Sequence, residues 1–227
     1  MASTHPLDYP VWTALTSRQQ ALAQGDALAR RYPPDIAPFA ATADMSAQSF
    51  ATLGALMSRS DIAVLFTPEP VNPPAEFKIL LAETGEQMIG TPAETSGTAD
   101  IVTLGVDDVP AMMELTKLTR PGPFTPRSHE LGTFLGVRTD GQLVAMAGER
   151  MKPANYTEIT AVCVHPDHRG RGYAQLLLGA VGRRISARGE IPFLHVFSSN
   201  DSAIALYRRQ GMEIRRRLFV TVLGRIV

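Results

Sequence analysis

The hexapeptide Arg169-Gly170-Arg171-Gly172-Tyr173-Ala174 follows a β-branched run and opens a segment with an apolar stripe. It therefore reads as a glycine-rich turn between a strand and a helix N-terminus. Such a junction is a cradle for an anion. The first N–H groups of a helix have no partner within it, and the helix dipole adds roughly half a positive charge there. Glycine lets a ligand approach the backbone, and Arg169 and Arg171 contribute full charges. A diphosphate is the natural guest. Two other cradles can be excluded. A dinucleotide fingerprint needs a third glycine where Gln175 stands, and a P-loop needs Gly-Lys-Ser/Thr, which is absent from the chain. An ordinary tight turn needs the same two glycines, so the surrounding elements must decide.

Those elements are legible over the second half of the chain. Ile101 to Leu104 reads as a short strand, and Val109 to Leu118 as a helix preceded by Asp107 and Asp108, whose charges suit its dipole. Arg120 to Glu130, with three prolines and a glycine, reads as a loop. Leu131 to Arg138 and Leu143 to Met151 are strands joined by the hairpin signal Asp140-Gly141. Thr157 to Val164 is a β-branched strand. Leu177, Leu178, Val181 and Ile185 give the helix after the glycine turn its apolar stripe, as far as about Arg188. Ile191 to Phe197 is a strand. Ser199, Asn200 and Asp201 are cap residues for a helix that ends near Gln210, with Gly211 as its stop, and Met212–Ile214 and Leu218–Leu223 close as strands.

The first half is plainer. Val11 to Arg31 is expected to be helical and to end at Pro33-Pro34. Ala47 to Met57 is expected as an amphipathic helix with Phe50, Leu53 and Met57 on one face, and Ile62–Phe66 and Phe77–Leu81 as strands. Thr91 to Asp100 is small, polar and aperiodic, and reads as a linker. The division expected is therefore 1–98, an N-terminal α/β region without a chemical motif, and 99–227. The first region packs against or shapes a site made by the second; a degenerate second copy of the same fold is the alternative.

With these elements in place, the glycine turn resembles the acyl-CoA loop of the GNAT N-acetyltransferase superfamily, Gln/Arg-x-x-Gly-x-Gly/Ala, with Arg169, Gly172 and Ala174 at the pattern positions. The lead-in Val162-Cys163-Val164-His165-Pro166-Asp167 is similar to the family's. Asn200 to Met212 resembles its second motif, Asn-x-x-Ala-x-x-Leu-Tyr-x-x-x-Gly-Phe, and departs only at Met212. The resemblance covers about Asp100 to Val227, and several stretches resemble one bacterial branch. It implies a mixed, mostly antiparallel sheet flanked by helices, with acetyl-CoA as co-substrate, a primary amine as acceptor and no metal. The diphosphate would sit on the N–H groups of Gly170, Arg171, Gly172, Tyr173, Ala174 and Gln175. The amide-rich pantetheine arm would pair with the backbone of Val162, Cys163 and Val164, near Asn200.

The chemistry so implied needs a proton acceptor and a proton donor. A lysine-type amine has a pKa of ~10.4 and is mostly protonated at neutral pH. Glu158 stands eleven residues before Arg169, the spacing of the general base in histone-type members; His195, five residues before Asn200, is the rival. A departing thiolate benefits from a proton, and Tyr207, two helical turns after Asn200, is the candidate donor. Arg127, Ser128, His129 and Glu130 lie in the region that the resemblance implies as the acceptor wall, with a solvated loop as the alternative. Cys163 is expected to be a small buried hydrophobe rather than an acetyl carrier.

Composition narrows the alternatives. In 227 residues, Lys+Arg and Asp+Glu both number 22, so no polybasic nucleic-acid coat is implied. The charge is nevertheless uneven. Residues 1–164 carry 11 basic and 18 acidic side chains and residues 165–227 carry 11 and 4, every basic one an arginine. One cysteine excludes an internal disulfide and a cysteine-based zinc site, and fits a reducing cytoplasm. No apolar run reaches the ~18 residues of a membrane span, and the first residues lack a basic leader. The expected function is acetyl transfer to a primary amine. A non-catalytic acyl-CoA-binding sensor would keep the glycine turn and dispense with Glu158, His195 and Tyr207. An interaction protein using the arginine-rich end is the third alternative.

Overall fold

The computed structural model describes residues 5–93, 95, 97 and 99–226. Its elements in chain order are α1 (Pro10–Thr16), β1 (Gln24–Gly25), β2 (Ala29–Arg31), β3 (Ala40–Thr42), α2 (Ala47–Ala55), β4 (Ile62–Thr67), β5 (Phe77–Ile89), β6 (Ile101–Leu104), α3 (Val109–Thr119), β7 (Phe134–Thr139), β8 (Gln142–Glu149), β9 (Tyr156–Val164), α4 (Tyr173–Ser186), β10 (Ile191–Phe197), α5 (Asp201–Arg209) and β11 (Glu213–Arg225). Local chemistry explains many of the boundaries. Asp140 and Gly141 both have positive φ, 50° and 81°, as a two-residue hairpin of matching twist requires. Asn200 Oδ1 accepts the Ala203 N–H at 3.2 Å and caps α5, and Gly211 at φ 87° stops it.

Eight strands form one mixed sheet in the order β4-β11-β5-β10-β9-β8-β7-β6, with β1-β2-β3 as a separate small sheet. All pairings in the large sheet are antiparallel except β9 with β10. β5, from the region before residue 98, lies between β10 and β11, and β4 lies on the far side of β11. The sheet is therefore built from both regions of the chain. β10 shows the two faces. Leu194 and Val196 pack with α4 and α5, through Leu177, Val181 and Ile204. Phe193 packs on the other face with Leu15, Tyr32 and Phe39 of the N-terminal region. Leu177, Leu178, Val181 and Ile185 are at most 1% exposed, so each anchors α4 by about 1.5–3 kcal/mol.

Three expectations about elements need correction. The helix expected over Val11–Arg31 stops at Thr16. Thr16 and Ser17 hydroxyls bond back to the carbonyls of Trp12 and Thr13, Gly25 adopts φ 107°, and Asp26 Oδ1 accepts the N–H groups of Leu28 and Ala29. The strand expected over Phe77–Leu81 runs on to Ile89, because β10 and β11 pair its second half on both edges. The two closing strands are one, and the irregularity between them is a register shift between Ile214 and Arg216. The expected linker is without regular structure where it is described; Glu94, Ser96 and Thr98 lie outside the described residues.

Candidate active site

The parallel pair β9 and β10 is joined only at its start: Tyr156, Thr157 and Glu158 face Ile191, Pro192 and Phe193. Beyond Glu158 the strands splay, and β10 turns to β5 while β9 stays with β8. β9 also carries a bulge. Ala161 has φ 52°, and the register to β8 shifts between Met146 and Gly148. An alanine in the left-handed region is a strained backbone, and such strain persists where the surroundings over-determine it. Glu158 exchanges main-chain bonds with Met151 and Arg150, and His165 donates its N–H to Val144. By alternation, Val162 and Val164 turn their main-chain groups toward the opening.

A cleft of about 320 Å³ fills the splay. Val162, Asn200, Ala203 and Tyr207 line one side. Phe39, Phe66, Val64 and Val220 line the other, and Arg120 to Pro123 form its rim. The glycine turn follows β9 at the end of this opening. Gly170 and Gly172 have φ 76° and 79°, and a Cβ built on Gly170 would meet nothing within 4 Å. Among the described residues, the main-chain N–H groups of residues 170–175 have no acceptor; the next one, Leu176, bonds to Gly172. No side chain caps α4. Arg169 and Arg171 are exposed in this turn, whereas Arg188, Arg215, Arg216 and Arg217 are spent in ion pairs.

Glu158 lies behind the cleft, fully buried. Its carboxylate accepts Arg150 Nε and Nη2, each at 2.7 Å, and His195 Nδ1 at 2.7 Å. Burial alone would raise its pKa. The Arg150 charge and hydrogen bonds, with the His195 bond, outweigh burial and hold it at about 2. His195 lines the cleft and stacks on Phe66 at 4.3 Å between ring centroids. Its Nε2 lies 3.0 Å from Gln87 Nε2. The Gln87 amide is oriented by its other partners: Oε1 accepts Arg215 Nε at 2.6 Å, and Nε2 donates to the Leu7 carbonyl at 2.9 Å. His195 Nε2 is therefore the acceptor and Nδ1 carries the hydrogen given to Glu158. Arg215 continues the chain to Asp8. The result is a polar line, Arg150–Glu158–His195–Gln87–Arg215–Asp8, running from the end of β8 to the residues before α1.

Tyr207 is 9% exposed, and its hydroxyl has no hydrogen-bond partner among the described residues. Burial, with a smaller effect of Cys163, pushes its pKa up to about 12. Cys163 packs on the side away from the cleft with Met112, Leu115 and Phe134, and burial raises its thiol to about 11. The acceptor-wall residues fall elsewhere. Arg127 pairs with Asp35 and Glu130, and Ser128 bonds to the Ile36 carbonyl. They pin the loop to the N-terminal region, and it is Arg120 to Pro123 that reach the cleft. Phe39, Phe66, Gln87 and Arg150 carry no local motif; only their packing brings them to the site. Among the described residues, no group of three His, Cys, Asp or Glu is placed to hold a metal, and no helix is long and apolar enough to cross a membrane.

A model of the FR47-like protein family matches residues 134–220. The crystal structure of a GNAT-family protein from Novosphingobium aromaticivorans superimposes with a TM-score of 0.90 at 41% identity, over 99% of this chain and 100% of that one. The chain belongs to the GNAT family of acetyltransferases. A GCN5-related N-acetyltransferase from Kribbella flavida shares the GNAT fold at a TM-score of 0.60, with 17% identity over 95% of each chain. Among curated relatives, N-alpha-acetyltransferase RimI of Mycobacterium tuberculosis is 35% identical over 102 residues. The amino-acid acetyltransferase of Mannheimia succiniciproducens is 30% identical over 108 residues. These matches take in 42% and 44% of this GNAT chain, and it spans 60% and 25% of the two relatives' lengths.

Proposed function

We propose that this chain transfers an acetyl group from acetyl-CoA to a primary amine by direct attack. The observation that carries the reading is the row of unpartnered N–H groups at residues 170–175, set at the open end of the β9/β10 splay. Bare backbone at two positive-φ glycines suits a diphosphate, and Arg169 and Arg171 add charge beside it. Main-chain groups of Val162 and Val164 pair with the pantetheine amides in the manner of an added strand, on the edge that β10 vacates. Asn200, at the cleft, holds the same arm. Cys163 contributes only its place in the strand.

The neutral amine nitrogen forms a bond to the thioester carbonyl carbon, the carbon–sulfur bond breaks, and the proton that the new amide nitrogen sheds goes to water in the open cleft. Tyr207, kept protonated by burial, gives its proton to the departing thiolate and regains one from solvent. An N–H at the β9 bulge faces the thioester oxygen and stabilises the oxyanion. Glu158 and His195 support this floor rather than collect the amine's proton. One is an ion-paired carboxylate with a pKa of about 2, and the other has its free nitrogen occupied by Gln87. We assign Glu158 to orienting His195 and Arg150, and His195 to walling the cleft beside Phe66.

The test is release of free CoA thiol from acetyl-CoA by the purified protein across an amine panel, with donor binding measured in parallel. Amine-dependent thiol release is expected. Donor binding without release with any amine would leave a non-catalytic acyl-CoA-binding module, and absence of donor binding would overturn the reading outright.

A further inference from the structure

Among the described residues, the cleft contains cations and apolar walls but no side-chain carboxylate or amine free to accept a proton. Among the described residues lining it, the titratable or charged groups are Arg120, Arg150, His195 and Tyr207; no Asp, Glu or Lys lines it. Glu158 sits behind Arg150 and is consumed by it. His195 Nε2 already accepts from Gln87, which Arg215 and Leu7 hold in place. Burial keeps Tyr207 protonated. An ammonium ion entering here would face two guanidinium groups, leave water, and find nothing to take its proton.

Arg150 adds a positive preference. It is 8% exposed, and its guanidinium carbon lies 4.4 Å from the centre of the Phe39 ring. Nε and Nη2 bind Glu158, and Nη1 has no partner among the described residues. Its charge is balanced by Glu158, so the remaining donor suits a neutral carbonyl oxygen. Phe39, Phe66, Val64 and Val220 leave room beside it for an aliphatic or aromatic group.

Resting on the transferase reading above, we infer that the enzyme selects its acceptor by basicity. The acceptor is a weakly basic α-amine with a carbonyl on the next carbon and an apolar side chain, held by Arg150 Nη1, and lysine-type amines and polyamines are excluded. Both apolar amino-acid amides and peptide N-termini carry this chemistry. At pH 7, an α-amine of pKa ~8 is about one-tenth neutral, whereas an alkylamine of pKa ~10.4 is neutral in about one molecule in 2,500. Deprotonation alone therefore separates the two classes by about 250-fold.

The experiment measures kcat/KM for L-leucinamide, a leucine-initiated tripeptide, 3-methylbutylamine and spermidine between pH 6.5 and 9.5, beside a calorimetric acetyl-CoA titration. Leucinamide or the tripeptide is expected to exceed 3-methylbutylamine by 100-fold or more at pH 7. The faster of the two identifies the source of the acceptor. For 3-methylbutylamine, kcat/KM should climb about tenfold per pH unit, as its neutral fraction does. After correction for neutral fraction, a preference of about tenfold for leucinamide should remain, from one hydrogen bond to a charged donor. If acetyl-CoA binds and 3-methylbutylamine or spermidine reacts as fast as leucinamide at pH 7, the inference is wrong while the transferase reading stands. Donor binding with no turnover of leucinamide or the tripeptide also overturns it. If acetyl-CoA does not bind, the reading beneath it has failed.

Discussion

The glycine turn and the polar line behind the cleft are built on opposite plans. The turn is seven consecutive residues, 169–175, exposed or half-buried, and presents bare backbone at its two glycines. The polar line joins side chains from Asp8 to Arg215, on four strands, the residue after β8 and a leading segment, and Glu158 and Gln87 within it are fully buried. On the proposed reading, one is a local solution to binding an anion. The other is a tertiary solution to keeping ionised groups inside a protein, where each must be paired and hydrogen-bonded. If the proposed reading holds, the comparison teaches that donor recognition can be changed without touching the fold, whereas the floor of the cleft cannot.

The largest effect should come from breaking the line. Glu158→Gln leaves Arg150 buried without its counter-charge and is expected to cost about 3–5 kcal/mol in chemical denaturation. If it costs under 1 kcal/mol, the line is not a structural unit. The same residue sets an acid dependence. Its folded-state pKa of about 2 lies below its ordinary 4.5, so its contribution is full above pH 4.5 and is lost as pH falls toward 2. Denaturation midpoints followed over that window should fall less steeply in the variant than in the parent.

Gly172→Glu addresses the turn alone. It places a carboxylate among the free N–H groups and forces a side chain into φ 79°, so acetyl-CoA affinity should drop by about 100-fold or more while the fold loses only ~1–2 kcal/mol. Unchanged affinity in calorimetry would remove the turn from the donor site. Tyr207→Phe should slow turnover by about tenfold to a hundredfold, with donor affinity retained, because on the proposed reading it removes only a proton donor. The smallest change is Ala161→Gly at the bulge. Relief of the left-handed backbone and the entropy cost of glycine oppose each other, so stability should stay within about 1 kcal/mol. Ala161→Val should cost more.

What the sequence made legible follows the same division. The glycine turn, the Asp140-Gly141 hairpin, the strand Ile191–Phe197 and the capped helix after Asn200 are each specified by neighbours a few residues apart, and each was found where expected. Arg150 and Gln87 could not be found that way. An arginine at a strand end and a glutamine inside a strand have no distinguishing spacing, and their partners lie far along the chain: Gln87 meets His195 108 positions away. The placement of β5 between β10 and β11 was hidden for the same reason, since strand order depends on pairing that no local pattern encodes. The early end of α1 was at least partly legible, in Ser17, Gly25 and Asp26, but the apolar periodicity over Val11–Arg31 masked it.

Amide hydrogen exchange with and without acetyl-CoA tests the central claim most directly. Binding should slow exchange of the N–H groups from Gly170 to Gln175 more than any others, with Val162 and Val164 next. Protection centred anywhere else, with these amides still exchanging freely, would contradict it.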